Sequence, residues 1–174
     1  MILNHIPAPN VDADAPLQLL VTTLGYDDYR GVTAIGRIFA GKIKAGQRLA
    51  RLTTDGRNLA ESAKYLYTFQ GLNKIEIETA SAGDIVSLAG LEEIAIGETL
   101  ADPANPVALP TIKVEEPTVR MTFGVNTSPF TGKEGKWGTS RNLRERLFEE
   151  LRTNVSLRVE ETDSAENFLV SGRG

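Results

Sequence analysis

The sequence predicts a mainly β protein: a small Greek-key β-barrel followed by a shorter α+β domain with the ferredoxin-like order of elements. Three features of the 174 residues support this prediction. Short apolar segments alternate with turn signals, glycines recur every five residues from Gly31 to Gly46, and a helical period begins only after a second proline-rich segment. Alternation is typical of half-buried strands, and glycine is favoured where the strands of a small barrel bend sharply.

Residues 1–16 are predicted to be an extended linker. Pro7, Pro9 and Pro16 lie in this segment, and proline fixes φ and removes a backbone donor. His5, the single histidine of the sequence, lies here as well. A linker position without a partner does not suit a general base, so histidine-based catalysis is not expected.

The barrel is predicted to occupy residues 17–103 and to contain six or seven short strands. These strands are expected at 17–24, 32–39, 48–52, 60–68, 72–79 and 84–89. Turns or loops are expected at 25–31 and 44–47. Asp55-Gly56 is a strong hairpin signal, because Asp-Gly suits the primed turns that match the twist of the flanking strands.

A proline-rich connector at 101–110 separates the two predicted domains, with the linker placed at 104–113. Because this connector has no periodicity, we expect it to be a hinge. The second domain is predicted at 114–174. Its expected elements are a strand at 118–125, a loop at 127–138, a helix at 141–153 and strands at 155–160 and 167–170.

The helix prediction depends on four apolar residues that share one face and on a capping residue, Thr139 or Ser140. The four residues are Leu143, Leu147, Phe148 and Leu151. Strand–helix–strand–strand is the first part of a ferredoxin-like unit, which needs a further helix and strand. We therefore expect this domain to be truncated, with an unpaired edge at 118–125 that favours association between copies.

Charge is distributed unevenly along the chain. The formal net charge is -4, yet residues 30–57 carry a net charge of +6 and residues 131–146 carry +3. Two basic segments on an acidic chain suit local contact with a polyanion, because phosphate neutralisation depends on local charge. Solvated hairpins and an ordinary helix face explain the same pattern equally well.

Composition excludes several kinds of site. The chain has no cysteine, which rules out disulfides and thiolate metal sites. No cluster of metal ligands stands out, and no apolar segment reaches the ~18 residues of a membrane span. We expect no metal site, no membrane partner and a cytoplasmic location.

Two segments resemble nucleotide-binding motifs without satisfying them. Gly36-Arg-Ile-Phe-Ala-Gly-Lys42 is one residue short of a phosphate loop, and Ile43 stands where a hydroxyl would bind magnesium. Asn73-Lys-Ile-Glu76 is similar to a guanine-recognition motif, but glutamate is too long for the bidentate contact. Both segments also alternate like strands, so neither is expected to bind a nucleotide in this way.

The loop that begins at Asn126 is the strongest candidate for recognition. It contains Lys133, Lys136 and Trp137 and leads into the basic start of the predicted helix. Recognition residues concentrate in loops on rigid scaffolds, and a lysine-plus-aromatic loop suits RNA through phosphate pairing and base stacking. The alternative is a structured loop in which Trp137 packs on Phe130.

Several segments together resemble translational GTPases, most closely the BipA/TypA family. The quoted segments are Asn4-His-Ile-Pro-Ala-Pro-Asn-Val-Asp12, residues 31–49, Ala82-Gly-Asp-Ile-Val-Ser-Leu-Ala-Gly-Leu91, Glu116-Pro-Thr118, Val125-Asn-Thr-Ser-Pro-Phe-Thr-Gly-Lys-Glu-Gly135, Leu157-Arg-Val-Glu-Glu-Thr162 and Ser171-Gly-Arg-Gly174. The run that begins at Asn126 is the most specific, because elongation factor G and other relatives look different there. The resemblance spans nearly the whole chain.

The resemblance implies an elongation-factor domain II-like barrel followed by an elongation factor G domain III-like domain. In the family these domains brace a GTPase domain on the ribosome, with contacts to ribosomal RNA and proteins and roles in translation, ribosome assembly and stress adaptation. The phosphate loop, switches and guanine-recognition motif are absent from this sequence. No catalytic residue is therefore expected here, and GTP and Mg are expected to bind in a GTPase domain outside this fragment.

We expect this chain to be a non-catalytic, ribosome-docking fragment. The candidate contact residues are Arg37, Lys42, Lys44, Arg48 and Arg51 on the barrel, and Lys133, Lys136, Trp137, Arg141 and Arg144 on the second domain. Two alternatives remain open: a stand-alone nucleotide hydrolase that uses residues 36–42, and a protein-interaction barrel with no RNA role.

Overall fold

The computed structural model describes residues 5–7, 10–112, 115–128, 138–164 and 166–173. The chain divides into two compact units, residues 1–112 and 113–174.

Antiparallel strands make up the first unit. In the described part of this unit they are β1 (Gln18–Asp27), β2 (Gly31–Ala40), β3 (Lys42–Lys44), β4 (Arg48–Leu52), β5 (Asn58–Ser62), β6 (Tyr65–Gln70), β7 (Asn73–Glu76), β8 (Thr79–Ser81), β9 (Ile85–Ala89) and β10 (Thr99–Ala101). Eight of them form one sheet in the order β5-β4-β10-β1-β2-β9-β6-β7, and β3 pairs with β8. The two sheets enclose one core.

The barrel core forms from side chains that alternate along the strands. Its fully buried members include Leu19 on β1, Ile38 on β2, Ile43 on β3, Leu66 on β6 and Leu88 on β9. Burying each such side chain contributes about 1.5–3 kcal/mol. Because Ile43 comes from the small sheet and the other four from the large one, both sheets share this core.

Two of the evenly spaced glycines are required by close backbone approach. A Cβ at Gly36 would lie 2.3 Å from the carbonyl oxygen of Leu20, on the neighbouring strand β1. Gly41 has φ +77°, and a Cβ there would lie 2.7 Å from the carbonyl oxygen of Ala15. The prediction that side chains would clash at the spaced glycines is confirmed at Gly36 and Gly41. It is wrong at Gly31 and Gly46, where a Cβ would meet nothing within 4 Å and only the positive φ favours glycine.

A β4–β5 hairpin forms at the predicted Asp-Gly position, but its turn is not of the primed type, because Gly56 and not Asp55 has a positive φ. Gly56 has φ +86°, and Thr53 and Arg57 form the backbone hydrogen bond that closes the turn. The Thr53 hydroxyl donates to the Asp55 carboxylate, and this bond lowers the pKa of Asp55.

Other strand boundaries differ from the prediction. The strand expected at 60–68 is two strands, β5 and β6, because the chain leaves the sheet at the buried Ala63, whose carbonyl accepts from Gly46 N–H. The strand expected at 72–79 is likewise β7 and β8, which belong to different sheets. The loop expected at 25–31 is mostly strand, since β1 continues to Asp27 and β2 begins at Gly31. The alternation of apolar and polar residues continues where the chain passes from one strand partner to another. The alternation therefore does not predict where one strand ends and the next begins.

The proline-rich segment after β10 is anchored to the barrel. Leu109 N–H donates to the Thr99 hydroxyl at 3.0 Å, and the Gln18 side-chain amide donates to the Val107 carbonyl at 3.2 Å. Asp102 N–H also donates to the Leu17 carbonyl at 3.1 Å. These bonds do not fit the hinge predicted at 101–110.

The second unit contains β11 (Val119–Gly124), α1 (Ser140–Leu151), β12 (Arg158–Glu161) and β13 (Asn167–Gly172). The sheet order is β11-β13-β12, with every pair antiparallel. Thr139 caps α1 by accepting from Asn142 N–H at 3.3 Å, as predicted. The strand expected at 155–160 begins only at Arg158, because Leu157 N–H closes a turn on the Asn154 carbonyl. Among the described residues, no helix has the length and apolar character needed to cross a membrane.

Candidate functional site

Four of the predicted barrel cations are exposed. Arg37 lies on β2, Lys42 and Lys44 on β3, and Arg48 on β4. Lys42 and Lys44 share one face of β3 because the buried Ile43 between them points the other way. We call these four residues the barrel basic surface.

Two members of the barrel basic surface have nearby partners. The Lys42 ammonium lies 3.1 Å from the Asp14 carboxylate, and both side chains are well exposed. Arg37 places its guanidinium 5.1 Å from the centre of the Phe39 ring. Exposed ion pairs contribute little and exchange readily, so Lys42 remains available to an external phosphate.

Arg51, the fifth predicted barrel cation, lies in a different environment. It is only 6% exposed, and its guanidinium lies 3.6 Å from the Glu98 carboxylate and 3.7 Å from that of Glu61. It also donates to the Glu92 carbonyl. A buried guanidinium held by two carboxylates does not face an external phosphate, so Arg51 is not part of the barrel basic surface.

The helix cations predicted in the second unit are exposed but paired. Arg141 contacts Glu145 at 2.9 Å, and Arg144 contacts Glu161 on β12 at 2.8 Å. Arg144 also lies 4.6 Å from the centre of the Phe148 ring. A phosphate would have to displace these carboxylates. Lys133, Lys136 and Trp137, and the alternative packing of Trp137 on Phe130, lie outside the described residues.

The phosphate-loop look-alike does not have the geometry of a phosphate site. Residues 36–40 belong to β2, and β3 begins at Lys42. The backbone N–H groups of Ile38 and Gly41 donate to the carbonyls of Asp84 and Asp12. A phosphate loop instead points free N–H groups at its ligand and leads into a helix. These residues therefore do not fit GTP or Mg.

Within the described ranges, no group of three Asp, Glu or His residues lies close enough together to hold a metal ion.

Sequence reasoning missed a second group of residues around Arg30. Its guanidinium lies 4.2 Å from the centre of the Tyr65 ring and 5.1 Å from that of Tyr67. A cavity of about 380 Å³ adjoins it, and we call this cavity the Arg30 pocket; its lining residues are Asp27, Tyr29, Arg30, Thr33, Tyr67 and Lys74. The alternating aromatics of β6, Tyr65, Tyr67 and Phe69, were the available sequence signal.

A family model matches part of the chain. It describes elongation factor Tu domain 2 and aligns with residues 31–101. A solved protein from Thermus thermophilus is similar over 92% of this chain and 23% of its own length, with a TM-score of 0.63. At 23% identity this likeness concerns the fold alone. The two matches confirm the predicted fold class, an elongation-factor-type barrel followed by a ferredoxin-like domain.

Curated relatives match nearly the whole chain. Proteins named large ribosomal subunit assembly factor BipA are 57% identical in Synechocystis sp., 49% in Salmonella typhimurium and 46% in Bacillus subtilis. Each match covers 99% of this chain but only 28–29% of the relative. The chain therefore spans less than a third of the length of these relatives.

Proposed function

We propose that this chain, which belongs to the BipA family by its similarity to BipA proteins over 99% of its own length, is the part of such a factor that docks on the ribosome. The observation that carries this proposal is 46–57% identity across 99% of the chain to proteins named as large-subunit assembly factors. We extend their role in ribosome assembly, with the family's links to translation and stress adaptation, to the longer protein. Such a role takes place in the cytoplasm.

We assign no catalytic step to the residues of this chain. GTP hydrolysis, with GTP and Mg, is proposed for another part of the longer family members. In support, residues 36–42 form strand and corner rather than a phosphate loop. The proposed domain bounds remain 17–103 for the barrel and 114–174 for the ferredoxin-like domain, with linkers at 1–16 and 104–113.

Docking is proposed to use exposed cations against RNA phosphates. The barrel basic surface is the best-supported contact, because Lys44 and Arg48 are exposed and Lys42 has only an exposed partner. Arg141 and Arg144 contribute after exchanging their glutamate partners for phosphate. Lys133, Lys136 and Trp137 remain proposed contacts of the adjoining loop. Local positive charge supports this contact although the net charge is -4.

Co-sedimentation with purified large ribosomal subunits across a salt series tests the proposal. The variant Lys42→Ala/Lys44→Ala/Arg48→Ala is expected to bind less tightly and to lower the slope of log K against log salt by about 3, because each lost phosphate contact removes about one released counterion.

The matched control is Arg57→Ala/Lys64→Ala/Arg146→Ala, which removes three exposed cations that lie outside the proposed contacts. It should bind like the parent chain. If both variants lost affinity equally, net charge rather than the barrel basic surface would explain binding. Binding that did not change with salt would favour the protein-interaction barrel.

A further inference from the structure

The outer face of the barrel carries side chains that are buried although they point away from the core. Ala34 on β2, Leu66 on β6 and Leu88 on β9 belong to the core. Their neighbours along each strand must point outward, because side chains alternate across a sheet. Two outward rows of cross-strand partners follow: Gly25, Thr33, Ala89 and Tyr65 form one, and Ile35, Ser87, Tyr67 and Glu76 form the other.

Three hydroxyl groups in these rows lack hydrogen-bond partners within the described part of the chain. Thr33 Oγ1, Ser87 Oγ and the Tyr67 hydroxyl are buried and unpaired. Thr33 and Ser87 are 2% and 0% exposed. Buried polar groups are usually paired, so three unpaired hydroxyls in one region call for a partner such as a water or a ligand. Thr33 and Tyr67 also line the Arg30 pocket.

Two cations lie over this part of the sheet. Arg30 stacks on Tyr65 and Tyr67 and lies 3.7 Å from the Glu76 carboxylate. Lys74 comes from β7, where it is the cross-strand partner of Phe69.

Gly25 leaves the space between the Thr33 hydroxyl and the Lys74 ammonium open. A Cβ at Gly25 would lie 2.7 Å from Thr33 Oγ1 and 3.8 Å from Lys74 Nζ.

An aromatic residue stands at the rim of the same pocket. Tyr29 is 98% exposed at the tip of the β1–β2 hairpin. The Asp27 carboxylate holds this tip by accepting from the backbone N–H groups of Tyr29 and Arg30 at 3.0 and 3.1 Å. Tyr29 and Arg30 therefore both line the Arg30 pocket from this fixed tip.

We propose that the Arg30 pocket binds one unpaired nucleotide of an RNA strand. Planar bases stack on aromatic rings and on guanidinium groups, and flanking cations pair with the backbone phosphate. The Thr33 and Tyr67 hydroxyls are buried in the unbound chain, so they donate to the edge of the base only after Arg30 shifts from the Tyr67 ring. The cavity of about 380 Å³ falls within the roughly 300–1,000 Å³ of small-ligand pockets.

The charges around the pocket favour a nucleotide within a strand over a free one. Arg30 and Lys74 face two acids, Asp27 and Glu76. Near-neutral surroundings suit the single charge of a backbone phosphate better than the higher charge of a free nucleoside phosphate. Arg30 exchanges Glu76 for the phosphate when the strand binds. This inference rests on the proposed RNA docking and adds a second contact, separate from the barrel basic surface.

Fluorescence titration with a single-stranded uridine hexamer carrying one internal 2-aminopurine tests the inference, because stacking quenches this base. The chain should quench it in a saturable way. Lys74→Ala should weaken binding about tenfold, since a charged hydrogen bond is lost, and Tyr67→Phe about fivefold with the ring retained. Glu76→Gln should strengthen binding about threefold by releasing Arg30.

Lys64→Ala is the matched control, an exposed lysine elsewhere on the barrel that should leave quenching unchanged. Unchanged affinity in Lys74→Ala and Tyr67→Phe, with folding verified by circular dichroism, would overturn the inference. If uridine 5′-monophosphate bound as tightly as the hexamer, the ligand would be a free nucleotide rather than part of an RNA strand. If a duplex of the same sequence bound as tightly, the nucleotide would not need to be unpaired.

The two proposals can fail separately. If subunit co-sedimentation depends on the barrel basic surface but the pocket variants leave hexamer quenching unchanged, only the pocket inference is overturned. If the pocket variants weaken quenching but the chain does not bind the subunit, only the docking proposal is overturned.

Discussion

Arg51 carries the same charge as its exposed neighbours Arg48 and Arg57 but serves a different purpose. It links Glu61 on β5, Glu98 next to β10 and the Glu92 carbonyl in the connecting loop. Glu61 also accepts from Glu92 N–H at 3.3 Å, and Glu98 accepts from Ala95 N–H at 3.1 Å. Arg51 thus fixes the segment between β9 and β10 against the sheet.

Replacing Arg51 with methionine is expected to lower the free energy of unfolding by about 3–5 kcal/mol. The change leaves the carboxylates of Glu61 and Glu98 buried without a cation. Urea unfolding followed by circular dichroism measures the loss. Restoring neutrality in Arg51→Met/Glu61→Gln/Glu98→Gln should recover part of it, and a loss below about 1 kcal/mol in the single variant would contradict the assigned role.

Corners between strands depend on glycine for two separable reasons. Gly41 and Gly46 have similar φ values, +77° and +76°. A Cβ at Gly41 would meet the backbone of Ala15 and Leu17 at 2.7 Å, whereas a Cβ at Gly46 would enter open space. The two glycines therefore have the same backbone conformation, but only Gly41 is crowded by neighbouring backbone atoms.

Gly41→Ala is expected to destabilise the barrel by at least about 2 kcal/mol, since left-handed strain adds to overpacking. Gly46→Ala should lose only about 1 kcal/mol from strain alone. Thermal unfolding of the two variants measures the difference. Equal losses would show that space at Gly41 is not limiting.

Strand β11 has an exposed edge. Within the described residues it pairs with β13 alone, and Val119, Met121 and Phe123 are exposed along it. Such an edge offers backbone groups and apolar side chains to another strand. We therefore propose, as the sequence pattern also suggested, that copies of this chain associate through β11.

Light scattering at increasing concentration measures this association, and Met121→Lys should reduce it by placing a charge on the edge. Arg120→Lys, on the opposite face of the strand, is the control. A strictly monomeric parent chain at high concentration would contradict the proposal.

At the scale of the whole molecule, the first unit extends through the proline-rich segment to Ile112. Hydrogen bonds anchor Val107 and Leu109 to the barrel, and a Cβ on Gly97 would lie 3.1 Å from the Ile112 carbonyl oxygen. The linker within 102–112 is therefore held against the barrel and is not a free hinge.

Hydrogen exchange tests this assignment. The amide of Leu109 is expected to exchange at least about tenfold more slowly than that of the exposed Ala108, because it donates to the Thr99 hydroxyl. Thr99→Val should remove this protection, while Thr54→Val, on an exposed hairpin tip, should not. Rapid exchange of the Leu109 amide in the parent chain would contradict this assignment and support the predicted hinge.

Much of the fold could be predicted because its signals are local. The Asp55-Gly56 turn, the Thr139 cap and the glycine corners depend on backbone preferences of a few adjacent residues. The splitting of 60–68 and 72–79 could not be predicted, because it depends on which distant strand becomes the next partner. The same holds for the candidate site: charge identified Lys42 and Lys44, but not that Arg51 is enclosed or that Arg141 is paired.

The sequence by itself determined the two fold types, the basic segments and the family. Each of these depends on residue type, spacing or similarity along the chain. The tertiary structure alone decided which cations reach solvent and which buried hydroxyls gather beneath Arg30. Burial and partnership are properties of residues far apart in sequence, so charge and hydroxyl content acquire their roles only once the strands pack together.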